Sequence, residues 1–371
     1  IRDHLPQALW VSVFLSLIVA PLCYFSHLGL GWLGIDAQTA EKSSEYIKMV
    51  AFGFPALGIF MALRYHCQGV GITSPFAVAA VVGFIANIPL NYMFIFGFGD
   101  IPAMGAQGCG IATAISMWLS AIVITVYVLQ KKSLKQYMPP WSPVAPNANT
   151  IKEILVLGSP VGATMFLETA VFTGIALLVS SLGDTAIGAH QIAFNVWDMF
   201  YIPMLAIGSA MATRMGHALG AQNQQGVFMA LKAGMLCSGI ISLTTMAVLL
   251  TLPITIVGIY SESPDITLLA ARLLSLAALF VIIDAVQIVG SFSMRAYKKT
   301  RFPFIASMVA YWLIALPLGY YLGIVRADNL FDGAAGFWVG IIVGVTVASV
   351  MIAVRLVLLL KQPIPKDLYA D

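Results

Sequence analysis

The sequence predicts an all-α membrane protein of two pseudo-symmetric helix bundles, with ten transmembrane helices present of an inferred twelve. Three observations carry this. The chain of 371 residues is 60% hydrophobic and only 9% charged, against about 25% charged for a soluble domain. Its apolar runs reach twenty or more residues without strand-like alternation, so helices rather than a closed barrel satisfy the backbone in lipid. Residues 75–92 and 303–320 are two copies of one pattern at a constant offset of 228, with Pro75/Pro303, Phe76/Phe304, Pro89/Pro317, Leu90/Leu318 and Tyr92/Tyr320 coinciding. The offset continues through Asp100/Asp328, Gly105/Gly333, Ala106/Ala334, Gly108/Gly336 and Ile124/Ile352. A duplicated apolar chain is the signature of a transporter built from repeats.

Breaks at Gly, Pro and charge clusters place the spans, in order, at 7–30, 44–68, 76–97, 107–130, 153–181, 187–214, 228–258, 267–296, 303–324 and 334–360. The stretch 131–152, KKSLKQYMPPWSPVAPNANTIK, is the one long polar linker. It divides the chain into an N-terminal bundle over 1–130 and a six-helix C-terminal bundle over 153–371.

Threading these spans puts 15 of the 19 Lys and Arg on one side of the membrane, including Arg2, Lys135, Lys366 and the cluster Arg295, Lys298, Lys299 and Arg301. The four on the other side are Lys42, Lys48, Arg272 and Arg326, among acidic loops that include Asp36. By the positive-inside rule both termini and the 131–152 linker are expected in the cytoplasm of an inner-membrane protein. The first half has four spans and matches the last four of the second, so 153–181 and 187–214 lack partners. Two further spans, roughly 75 residues, are expected before Ile1; the alternative is a ten-span protein with an asymmetric insertion. Six spans separate equivalent helices, so the two copies run in the same direction, related by an axis along the membrane normal.

Three ionisable residues fall deep inside spans: Glu168, Asp284 and Asp198. A charge at mid-bilayer costs several kcal/mol unless paired, hydrated or neutralised, so each is a functional candidate. Glu168 and Asp284 lie at similar depth, roughly 18–23 Å from one end of their helices. Two such carboxylates bind Na+ with nearby carbonyls or share a proton; the competing reading is two separate residues with local hydrogen bonds. Asp198 shares helical faces with Gln191, Asn195 and Tyr201, either as a polar cleft stripe or as a structural hydrogen-bond node. Pro160 can bend its helix or mark a loosely wound start. Met165, Phe166, Phe194 and Trp197 offer an apolar ligand wall, against plain packing. His190 and His217, at span ends, read as satisfied polar residues.

The four cysteines stand singly in apolar runs, without metal-ligand spacing. A net charge of +3 without interleaved basic and aromatic residues argues against nucleic acid. There is no GxxxxGK[ST], HExxH or GxSxG, and no cofactor or enzyme activity is expected.

The stretch AHQIAFNVWDMFYIPMLAIGSAMATRMGHALGAQNQQG (189–226), with FLETAVF around Glu168, IDAVQIVGSFSMRAYK around Asp284, and NIPLNYMFIFG followed by MGAQGCGIATAIS, resembles the MATE (multidrug and toxic compound extrusion) transporters of NorM type. The resemblance implies two six-helix bundles and antiport, in which cationic amphipathic drugs leave as Na+ or H+ enters. It matches Glu168 and Asp284 to the cation site of the second lobe. It adds Phe280, one turn before Asp284, to the candidate ligand wall, at a place where some relatives carry Tyr, so that one cation contact of the family is absent from this pattern. The expected partners are small-molecule cationic drugs and membrane lipids, and the expected state is a monomer. The rival functions are a lipid-linked precursor flippase, which calls for cationic rather than acidic buried charges, and a membrane-embedded enzyme.

Overall fold

The computed structural model describes residues 4–26, 37–135, 137 and 144–365. Arg2, Asp36, Lys366, the Lys135 side chain, the end of the first span at 27–30 and linker residues 136 and 138–143 lie outside the described residues. The chain divides into two compact units, Ile1–Ile154 and Leu155–Asp371.

The first unit holds α1 (His4–Tyr24), α2 (Ala37–Ala51), α3 (Phe54–Gly69), α4 (Ser74–Phe96) and α5 (Gly105–Gln130). The second holds α6 (Ala148–Ser180), α7 (Asp184–Gly220), α8 (Gln224–Thr251), α9 (Pro264–Ala296), α10 (Arg301–Val325) and α11 (Leu330–Leu360). Among the described residues nine helices are long and apolar enough to cross a membrane, ten if the bent pair α2–α3 counts as one span.

That pair is a difference from the sequence reading, which drew 44–68 as one span. The helix breaks between Ala51 and Phe54 and turns through 52°. Pro55 has no N–H to donate and its ring crowds the preceding turn, while Gly53 supplies freedom at the corner. The Gly53 N–H bonds three residues back to Val50 at 2.8 Å, and the Trp118 indole donates to the Phe52 carbonyl at 3.0 Å. At the 228-residue offset α9 carries Val281 and Ile283 where α2–α3 have Gly53 and Pro55. It runs unbroken for 33 residues. Pro160, in contrast, sits inside a continuous α6.

In the second unit α9 is central and packs on α7, α8 and α11. Its buried residues from Leu269 to Ala296 form the spine of the core with Val345, Ala348 and Ile352 of α11. Three glycines of α11 at four-residue spacing, Gly336, Gly340 and Gly344, let α10 approach backbone to backbone. A Cβ at Gly340 would sit 2.7 Å from the Gly319 nitrogen, and one at Gly344 3.0 Å from the Ala315 methyl. Small residues at this spacing drive close helix association in lipid, where the hydrophobic effect between helices is absent. The repeat keeps the approach in the first unit. A Cβ at Gly108 would overlap the Phe94 carbonyl, as one at Gly336 would crowd Leu322 and Gly323.

The two copies differ in winding. α4 stays α-helical through Pro89. α10 widens to π-helix over Met308–Ala315 and again over Tyr321–Val325, and the Leu316 N–H bonds five residues back to the Tyr311 carbonyl. Pro317, unable to donate, follows directly. α6 has no long close-backbone seam with another helix among the described residues; it enters the core through Val171, Phe172, Ile175 and Val179.

The polar linker is partly docked. Buried Gln7 donates to the Ala145 carbonyl at 3.1 Å and accepts from the Asn147 N–H at 2.8 Å, and Trp10 donates to the Val144 carbonyl at 3.0 Å. At the end of α9, Lys298 takes φ +54°. There the Lys299 N–H closes on Met294 and the Lys298 N–H on Arg295, both at 2.9 Å, in the pattern that usually employs glycine. A non-glycine residue in this region costs roughly 1–2 kcal/mol.

Candidate functional site

Glu168 and Asp284 come together in the second unit. The buried positions Thr164, Val171, Ile175 and Val179 define the inward face of α6, and Glu168 falls on it, partly buried. Ser307, at the α-to-π transition of α10, donates its hydroxyl to Glu168 Oε1 at 3.2 Å. Asp284 is 3% exposed on α9. It lies within electrostatic reach of Glu168, and Tyr201 of α7 lies within reach of both carboxylates, of Asp198 and of Arg295. Gln287, one turn after Asp284, is within hydrogen-bonding reach of the Tyr311 hydroxyl in the widened part of α10. Behind Asp284 the Ser349 hydroxyl of α11 donates to the Ile283 carbonyl at 3.0 Å and fixes that turn.

The set is under-satisfied. Asp284 Oδ2 and Gln287 Oε1 are buried with no protein hydrogen-bond partner. Buried polar groups in native structures are nearly always paired, so two orphaned oxygens in one cluster set this place apart from the rest of the core. Among the described residues no three His, Cys, Asp or Glu side chains gather for a metal. The oxygens here belong to two carboxylates, an amide and the hydroxyls of Ser307, Tyr311 and Tyr201.

The proposed aromatic wall divides. Phe194, Trp197 and Phe280 pack into one cluster around Phe172, with ring centroids 5.2 Å (Phe172–Phe194), 5.4 Å (Phe172–Trp197) and 5.4 Å (Trp197–Phe280). Phe280 is wholly buried. Met165 and Phe166 sit on the other face of α6, 56% and 72% exposed. Gln191, Asn195 and Asp198 form an exposed stripe on α7, with the Asn195 amide donating to the Gln191 carbonyl at 2.8 Å.

Sequence reasoning missed Ser307, Gln287 and Tyr311, which look ordinary in apolar helices until α10 is folded against α9. It also took His190 for a satisfied polar residue. His190 is buried, its Nδ1 has no partner, and its ring lies between Phe194 and Trp338, 6.4 and 6.0 Å away. The span drawn from 187 put His190 at its edge, whereas α7 begins at Asp184 and holds His190 six residues inside.

Among the described residues of the first unit, the positions equivalent to Asp284 and Tyr311 carry no ionisable group. Ala56 stands for Asp284 and Gly83 for Tyr311. A cavity of about 240 Å3 there is lined by Asn87, Thr113, Ser116 and Ser120 among apolar residues. Asn87 donates to Ser116 at 3.2 Å.

A family model described as MatE matches residues 1–93 and 160–321. The chain is 35% identical to "Multidrug resistance protein NorM" of Photobacterium profundum over 363 residues, 96% of this chain and 79% of that protein. It is also 35% identical to "Multidrug resistance protein MdtK" of Proteus mirabilis, covering 96% of this chain and 78% of the relative. The crystal structure of the eukaryotic MATE transporter AtDTX14 superposes with a TM-score of 0.86 at 20% identity, over 96% of this chain and 78% of that one.

Proposed function

The chain belongs to the MatE family, and from that premise we propose that it is a secondary multidrug antiporter exporting cationic amphipathic compounds in exchange for Na+ or H+. The observation that carries the reading is the Glu168–Asp284 pair, with one carboxylate held by Ser307 and the other left with an unpartnered buried oxygen. Two carboxylates near enough to act on one another resist carrying two bare charges, and the arrival of a cation or a proton relieves that. The Tyr311, Tyr201 and Gln287 oxygens supply further hard-donor atoms for a Na+. Occupancy by the ion changes the charge that a cationic drug meets, and exchange requires such a change. α6, which carries Glu168 and lacks a long backbone seam, is the element this charge would move.

For the drug we assign Met165, Phe166 and the α7 stripe Gln191, Asn195 and Asp198 as the accessible surface, with Phe194, Trp197 and Phe280 behind it. We place the 1–130 and 153–371 bundles as the two lobes, with the 131–152 linker and both chain ends on the cytoplasmic face. The ionisable groups that the site itself brings together, Glu168 and Asp284, are both carboxylic, which favours a cationic substrate over the anionic one of a lipid-precursor flippase.

The test is dye movement in proteoliposomes under an imposed Na+ or H+ gradient. The wild-type protein should move a cationic dye only when a gradient is present. Glu168→Gln and Asp284→Asn should each lower the rate at least tenfold while leaving the protein in the membrane. Gradient-driven movement unchanged in both variants would overturn the proposal.

A further inference from the structure

The basic turn that closes α9 does more than mark one side of the membrane. A cavity of about 440 Å3 opens beside it, lined by Lys298, Lys299, Thr300, Arg301 and Arg355 on one side and by Val156, Leu157, Phe302 and Ile305 on the other. Among the described residues no acidic side chain lines it. Its floor is built: Thr300 is buried, and the Arg355 guanidinium lies 5.8 Å over the Phe302 ring. Lys298 takes φ +54°, where glycine is the usual residue, so its side chain is carried on a strained backbone at the end of α9. The apolar wall faces outward, with Val156 43% and Ile305 47% exposed. Arg355 lies five residues before the end of α11, a rise of roughly 8 Å, which is the depth of a headgroup rather than of the hydrocarbon centre.

Four cations converging above an exposed apolar wall match one kind of molecule, an anionic headgroup with its acyl chains attached. We propose that this groove binds one anionic glycerophospholipid. Lys298, Lys299, Arg301 and Arg355 hold the phosphate, and the chains lie along Val156, Phe302 and Ile305. The lipid would bridge α6 to α10 and α11 where α6 has no long backbone seam of its own. The proposal is independent of the transport reading and needs no particular coupling ion.

Native mass spectrometry of the purified full chain in neutral detergent tests it, with phosphatidylglycerol, phosphatidylcholine and inorganic phosphate titrated separately. One phosphatidylglycerol should be retained at least tenfold more tightly than phosphatidylcholine. Lys299→Gln with Arg355→Gln should remove that preference, whereas Lys299→Arg with Arg355→Lys, and Lys232→Gln at an exposed position of α8, should keep it. The single change Arg355→Gln should weaken binding several-fold whether or not the double variant folds. Equal retention of the two lipids overturns the proposal, as does wild-type affinity in the Gln variants or equal loss in the charge-conserving pair. Displacement of the lipid by inorganic phosphate overturns it too, by making this a free-phosphate site.

Discussion

The Ser307 hydroxyl donates to Glu168 Oε1 at 3.2 Å, and this bond ties α6 to the point where α10 leaves α-helical winding. π-helical bulges often occur at functional sites. Here the bulge carries Tyr311 while its first edge carries the donor to Glu168. A hydrogen bond to a carboxylate contributes about 1.5–3 kcal/mol. Ser307→Ala is therefore expected to weaken the coupling ion's apparent affinity about tenfold or more with little loss of maximal rate. Dye transport measured against ion concentration checks the split.

Asp284 is buried with one oxygen unpartnered. Burying a carboxyl group without a partner is costly, and an amide of the same shape removes the cost of its charged form. Asp284→Asn should thus leave thermal stability in detergent unchanged or raised while gradient-driven transport is lost. A large fall in Tm would mean that Asp284 is a structural node.

Gly340 meets the α10 backbone at Ala315 and Gly319, whereas Gly162 of α6 has nothing within 4 Å of a Cβ. Gly340→Val should force the α10–α11 seam apart and abolish folded protein. Gly162→Ala should stabilise by about 0.5–1 kcal/mol, the ordinary gain for glycine within a helix. Size-exclusion profiles and thermal unfolding of the two variants distinguish these outcomes.

The α2–α3 corner tests whether local sequence sets the 52° bend. Gly53→Val with Pro55→Ile installs the residues that α9 carries at the equivalent positions. Spin labels at exposed positions 45 and 65 should then move apart as the helix straightens. An unchanged distance would assign the bend to packing against α5 instead.

Gln7 makes two hydrogen bonds to the 144–147 segment from a buried position. Gln7→Ala should cost about 1–3 kcal/mol locally. It should raise the rate of limited proteolysis at residues 144–147 severalfold without changing cleavage in the helices.

The sequence by itself determined the class of the fold, because 9% charge cannot cover a water-facing surface. It determined the repeat as well, since prolines and glycines keep a register that apolar residues do not. It singled out Glu168 and Asp284 because a carboxylate in an apolar run is costly wherever the helix packs. The bend at Gly53 and Pro55 was written there too, but hydropathy summed over 44–68 does not register it. Only the tertiary structure decided which neutral residues gather near the carboxylates. Ser307, Gln287 and Tyr311 come from α9 and α10, at distances along the chain that no local period connects. It also divided the aromatic residues, because rotation of each helix, set by steric fit, put Phe280 and Trp197 inside and Phe166 outside. And it turned a run of cations, legible in sequence only as a sign of topology, into one concave surface with an apolar wall.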